Sequence, residues 1–146
     1  MSNRKMPENG KEYYRIELDG TITCNTWEGN STDIGCYALN NCFPTYEKAE
    51  FELERRKVLA EMKEFTADKQ LTDKHHPHGS LYVIEYDYKL HRICIDYYFD
   101  AIAGGVEVFA GNAAVRDCIR KVGADRIKKY YLRLGEKELN QSKDFV

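Results

Sequence analysis

Apolar residues along this chain run through the same cycle twice: two short alternating stretches around a turn, a bend, then a run at helical spacing. Tyr13 to Leu18 alternates, Asp19-Gly20 supplies a tight hairpin turn, and Thr21 to Trp27 returns. Glu28 to Gly35 reads as a loop around Gly29-Asn30, and Cys36 to Phe43 as a weak third strand that stops at Pro44. Thr45 is placed to cap a helix from Tyr46 to Phe65, with Glu47 in its first turn, where the helix dipole favours an anion. In the second cycle Leu81 to Tyr86 alternates and Asp87-Tyr88-Lys89 turns. Leu90 to Phe99 then returns with Ile93, Ile95 and Tyr97 on one face. Ala103-Gly104-Gly105 bends, Val106 to Phe109 is a short strand, and Asn112 can cap a helix that Gly123 ends. Asp125 opens a last helix through Leu134, stopped by Gly135.

This pattern predicts an α+β fold built as two β-β-β-α pseudo-repeats, an antiparallel sheet covered by a long central helix and C-terminal helices. The expected organisation is a single domain over residues 1–146. Its halves span 12–66 and 80–134, with a His-rich linker at 67–79 and a mobile polar tail at 135–146. The halves align best with Tyr13 against Tyr82 and Phe43 against Phe109. The central helix carries Phe51, Val58, Leu59, Met62 and Phe65 on one side and Ala49, Leu53 and Ala60 nearly opposite, counting about 100° per residue. Two apolar sides imply a contact beyond the sheet, either the C-terminal helix or a second subunit, so a homodimer through helix 46–65 is a candidate assembly.

With 146 residues the chain is long enough to bury a core without staples. Eleven Tyr, six Phe and one Trp suit pleated, half-buried surfaces. A net charge of −2 argues against a nucleic-acid binder held by bulk electrostatics. There is no transmembrane run and no signal-like start, and the five scattered cysteines fit reduced thiols, so a cytoplasmic setting is expected.

The candidate chemistry is thin. His75, His76, His78 and His91 with the cysteines lack the paired spacing of a zinc site, so no metal is expected. Cys24 and Cys94 fall in strands and Cys118 in a helix, where free thiols pack as small hydrophobes. Gly104-Gly105 and Gly111-Asn112 match no phosphate-binding fingerprint. No nucleophile–base pair, cofactor motif or catalytic residue emerges, and the expectation is a protein that is not an enzyme.

Charge is the informative property. From Glu85 to Glu107 the acids Glu85, Asp87, Asp96, Asp100 and Glu107 outnumber the bases Lys89 and Arg92. From Arg120 to Lys137 the balance reverses: Arg120, Lys121, Arg126, Lys128, Lys129, Arg133 and Lys137 stand against Asp125 and Glu136. Such asymmetry suits steering of a partner, and a solvated helix face is the competing account. The acidic aromatic surface nominates Trp27, Tyr86, Asp87, Tyr88, Asp96, Tyr98 and Asp100 as partner-binding residues. The alternative is a basic surface of Arg120, Lys121, Arg126, Lys128, Lys129 and Arg133 contacting phosphates, and a further one is a small-ligand sponge with a polar pocket.

The stretch Asn40-Asn41-Cys42-Phe43-Pro44-Thr45-Tyr46-Glu47-Lys48-Ala49-Glu50-Phe51, followed by Arg56-Lys57-Val58-Leu59-Ala60-Glu61, resembles a recurrent pattern in small phage and prophage proteins of low-GC bacteria. That pattern has the form G-N-x-F-x-T-x-E-E-A-E before a long helix, preceded by a strand pair with D-G and a Trp, as Asp19-Gly20 and Trp27 stand here. Leu81 to Leu132 resembles the C-terminal half of those proteins, including an ending like Ile127-Lys128-Lys129-Tyr130-Tyr131. Asn40 replaces the pattern's Gly and Lys48 one of its acids. The resemblance implies a mobile-element protein in a host bacterial cytoplasm. It implies action by stoichiometric binding to a host defence protein, in the manner of anti-CRISPR inhibitors of Cas nucleases.

Overall fold

The computed structural model describes residues 4–66, 81–98 and 106–145. The His-rich linker 67–79, including His75, His76 and His78, lies outside the described residues, as do Phe99, Asp100 and the bend at Ala103-Gly104-Gly105. The fold is α+β. Strands β1 (Glu12–Ile16) and β2 (Ile22–Thr26) form one antiparallel hairpin, and β3 (Leu81–Asp87) and β4 (Arg92–Tyr98) another. The helices are α1 (Ser31–Ala38), α2 (Tyr46–Met62), α3 (Asn112–Val122), a turn α4 (Ala124–Arg126) continuing as a π-helix over Ile127–Tyr131, and α5 (Glu136–Gln141). The chain packs as two units, Met1–Glu54 and Arg55–Val146, divided inside α2 rather than in the linker.

In the first unit the Asp19-Gly20 turn forms as the sequence reads. Gly20 adopts φ 82°, and the Asp19 carboxylate accepts from the Thr21 N–H and hydroxyl. The segment read as loop and weak strand is instead helical over Ser31–Ala38. Asn30 and Asp33 form a reciprocal capping box there, each side chain accepting from the other's backbone N–H. This cap holds the helix despite Gly35, which costs about 1 kcal/mol relative to Ala in a helix interior. Asn40 ends it in the left-handed region at φ 56°, a position that favours Gly and then Asn. The Gly-to-Asn difference from the phage pattern therefore falls where both residues serve.

The expected third strand survives only at its end. Tyr14 and Phe43 exchange two backbone hydrogen bonds of 2.8 Å. Beside them the Asn41 amide clasps Ile16, accepting from its N–H and donating to its carbonyl at 2.9 and 2.8 Å. The core of this unit is small: Tyr13, Ile16, Trp27 and Ala49. Its buried centre is polar, because the Asp33 carboxylate accepts from the Tyr13 hydroxyl at 2.6 Å and from the Glu28 N–H at 2.8 Å. The Trp27 ring meets Tyr13 edge-on at 5.7 Å. This network lowers the Asp33 carboxyl's pKa, the Tyr13 bond leading, and burial with the adjacent carboxylate pushes Tyr13 up to about 12.

The second unit has the larger apolar core. Val58 and Met62 of α2, Ile84 and Ile93 of the hairpin, Phe109, four α3 residues and Ile127 form one cluster. The α3 members Val115, Cys118, Ile119 and Val122 recur at helical spacing, and Gly123 closes the helix at φ 103°. Gly111 rather than Asn112 occupies the cap position, and Asn112 instead accepts from the Arg116 guanidinium. Phe109 repeats the arrangement of Phe43, exchanging two backbone bonds with Tyr82 at 2.8 and 3.0 Å. By these bridges Tyr82 corresponds to Tyr14, one residue on from the Tyr13 alignment read in the sequence.

Two further expectations change. The tail read as mobile carries α5, and beyond it the Lys143 N–H donates to the His91 carbonyl and Phe145 packs on the core. The apolar positions of α2 are divided between units: Ala49 is buried in the first, Val58 and Met62 in the second. That division accounts within one chain for a helix that is not apolar on a single stripe.

Candidate functional site

The β3–β4 hairpin gathers most of the acidic and aromatic positions singled out in the sequence. Its register sets Glu85 opposite Cys94, Val83 opposite Asp96 and Asp87 opposite Arg92, so Glu85, Asp87 and Asp96 share one face around Cys94. Burial, then the three carboxylates, raise the Cys94 thiol's pKa, with Arg92 opposing them. At the hairpin's end the Asp87 carboxylate accepts from the Lys89 and Leu90 N–H groups at 2.8 and 3.0 Å, which shapes the turn and holds its own pKa low. Asp87 is thus both a surface charge and the turn's internal cap.

That turn presents apolar surface to solvent. Tyr88 is 63% exposed and Leu90 47%, while Tyr97 on β4 is 52% exposed. The Tyr86 ring, half-buried, supports Tyr88 edge-on at 5.0 Å, and Tyr82 flanks Tyr97 at 6.3 Å. Rings braced by neighbouring rings offer contact area that is already ordered, which lowers the entropy lost on docking. Asp96 is exposed and accepts from the Tyr97 N–H. Tyr98 ends β4, and Asp100 lies outside the described residues.

Trp27 does not belong to this surface. It is 3% exposed and forms the first unit's core, so it is not available to a partner. The solitary Trp at a strand end looked like an anchor in sequence; its aromatic neighbour Tyr13 and the Asp33 network draw it inward.

Several of the basic C-terminal residues are engaged within the chain. Lys128 is 2% exposed, its Nζ donating to the Lys143 carbonyl at 3.1 Å, and so is not part of a phosphate-contacting surface. This part of the chain is not one regular helix: Gly123 interrupts it at φ 103°, and in the π-helix the Leu132 N–H reaches back five residues to Ile127. Arg126 forms a two-pronged ion pair with Glu61 at 2.6 and 3.0 Å, Lys121 pairs with Glu64, and Arg120 with Asp117. Lys129 lies over the Tyr130 ring, and Arg133 is exposed at a left-handed backbone position.

The thiols are free. Cys118 is buried, and burial pushes it to about 11, while Cys42 is also raised to about 11 chiefly by burial. Cys24, read as a core residue, is exposed instead on the two-stranded sheet. Among the described residues no group of His, Cys, Asp or Glu is arranged to hold a metal, and no helix is long and apolar enough to cross a membrane. Comparison of the chain with protein-family models, curated proteins and solved structures finds no match.

Proposed function

We propose that this chain is a phage-encoded, non-catalytic inhibitor that binds a host antiviral defence protein, with a CRISPR effector nuclease as the first target to test. The observation that carries the reading is the β3–β4 hairpin, which holds Glu85, Asp87 and Asp96 on one face, exposed Tyr88 at its turn and exposed Tyr97 on the opposite face. Exposed aromatic rings give a protein interface its area, and the carboxylates, which outnumber Arg92 on their face, give it orientation. The complement is a basic groove, the surface a nuclease offers to nucleic acid, and an acidic hairpin seated there competes with the nucleic acid. The resemblance of 40–61 and 81–132 to phage and prophage proteins supports the same reading.

The test is a cleavage assay with purified candidate defence nucleases, titrated with this protein. Inhibition that saturates at a stoichiometric ratio, and is lost in Tyr88→Ala with Asp96→Lys, is the expected result. Absence of both binding and inhibition at molar excess across the nucleases removes the proposal.

A further inference from the structure

The first unit contains a cavity of about 540 Å³ between residues 4–13 and the approach to α2. Four cationic side chains line it: Arg4, Lys5, Lys11 and Lys48, against one carboxylate, Glu12. Its remaining wall is largely apolar, from Met6, Pro7, Phe43 and Pro44. In a chain whose net charge is −2 this is a local inversion of sign.

The pairing state of the three lysines sets them apart. Elsewhere Arg15 pairs with Glu17, Lys63 with Glu107, Lys121 with Glu64 and Arg126 with Glu61. No described carboxylate lies at ion-pair distance from Lys5, Lys11 or Lys48. Arg4 is held in place, its guanidinium 4.4 Å from the Tyr37 ring centroid and donating to Asn40 Oδ1 at 3.3 Å. Lys48 also stands in the first turn of α2, where the helix dipole adds positive potential. With Lys5, Lys11 and Lys48 on its lining and Glu12 as the one carboxylate there, the cavity carries an excess of positive charge that an entering anion balances.

We infer that this cavity binds a small phosphate-bearing ligand with a flat apolar body, of the nucleotide class. Lysines act as point charges for phosphate, and Phe43 with the two prolines supplies a face for a ring. The volume falls in the range of small-molecule pockets, roughly 300–1,000 Å³. This site does not depend on the hairpin reading.

The test is titration calorimetry of the full chain at low salt with AMP, ATP, inorganic phosphate and a short single-stranded oligonucleotide. The expected result is saturable nucleotide binding that weakens with salt, with inorganic phosphate weaker by about ten-fold or more. Lys11→Glu with Lys48→Glu is expected to lower nucleotide affinity by about ten-fold or more. Both lysines are exposed, so the doubly substituted chain keeps its circular dichroism spectrum and melting temperature. Tyr88→Ala leaves nucleotide binding unchanged. The inference is overturned by absence of nucleotide heat at millimolar concentration, by affinity unchanged in the lysine variant, by phosphate binding as tightly as nucleotide, or by binding of the oligonucleotide alone.

Discussion

Replacing Tyr13 by Phe removes one oxygen atom from the centre of the first unit and leaves the ring that packs on Trp27 in place. The lost interaction is a 2.6 Å hydrogen bond to a carboxylate, with its donor side chain 1% exposed. Deleting a buried donor to a charged acceptor costs about 1.5–3 kcal/mol, and about 2 kcal/mol is expected for Tyr13→Phe because two backbone N–H groups still serve the carboxylate's other oxygen, Oδ2. Urea unfolding followed by tryptophan fluorescence reads this through Trp27, as a lower midpoint with an unchanged slope. The pH dependence gives a second, independent check. Tyr13 is raised to about 12 in the fold and is near 10 unfolded, so its contribution is complete below about pH 10 and is lost as pH rises from about 10 to 12. Asp33 is lowered in the fold, so its contribution is present above about pH 4 and is lost as pH falls through the depressed value. The difference between wild type and variant should therefore be a plateau that shrinks at both ends. A variant as stable as wild type at neutral pH, or a difference that stays flat from pH 10 to 12, refutes the assignment of this bond as the unit's polar centre.

Other outcomes follow from burial. Phe109→Ala should cost about 3–5 kcal/mol in urea unfolding, whereas Phe43→Ala, at the matching bridge but half-buried, should cost clearly less. Lys128→Glu should destabilise the chain rather than weaken any phosphate contact, because it places a carboxylate beside the Lys143 carbonyl; Lys128→Met should retain most stability, and both are read by thermal melting. Iodoacetamide labelling followed by mass spectrometry should modify exposed Cys24 first and Cys118 only on unfolding, since the Cys118 thiol is buried with a pKa raised to about 11.

The hairpins were legible because their signals are local: Asp19-Gly20 and Asp87 shape the turns through their own side chains and neighbouring N–H groups. Gly123 announced the end of α3 for the same reason. Helix α1 was not legible, since Gly35, Cys36 and Tyr37 speak against a helix and the decisive Asn30–Asp33 box is a short-range partnership weaker in sequence than the Ser/Thr–Glu form. The burial of Lys128 was hidden because its acceptor, the Lys143 carbonyl, belongs to the tail read as mobile. Trp27 was misjudged because its burial depends on Asp33 and Tyr13, which come from other elements. The excess of acids from Glu85 to Glu107 was legible as a count, and the register is what brings Glu85, Asp87 and Asp96 to one face around Cys94. The lysine-lined cavity joins residues 4, 5, 11 and 48, a juxtaposition that no spacing rule encodes.

The contrast between a small polar-centred core in the first unit and the continuous apolar cluster in the second has a thermal consequence. Exposure of apolar area sets the heat capacity of unfolding, and exposure of polar groups opposes it, so the two units have stability curves of different curvature. The first unit, with little apolar area to re-expose, is expected to open sub-globally while the second keeps its amides protected from exchange. Its opening is then the step that acid, alkali or a bound anion is expected to move, with the environmental response in residues 4–54 and the persistence in the apolar cluster of the second unit.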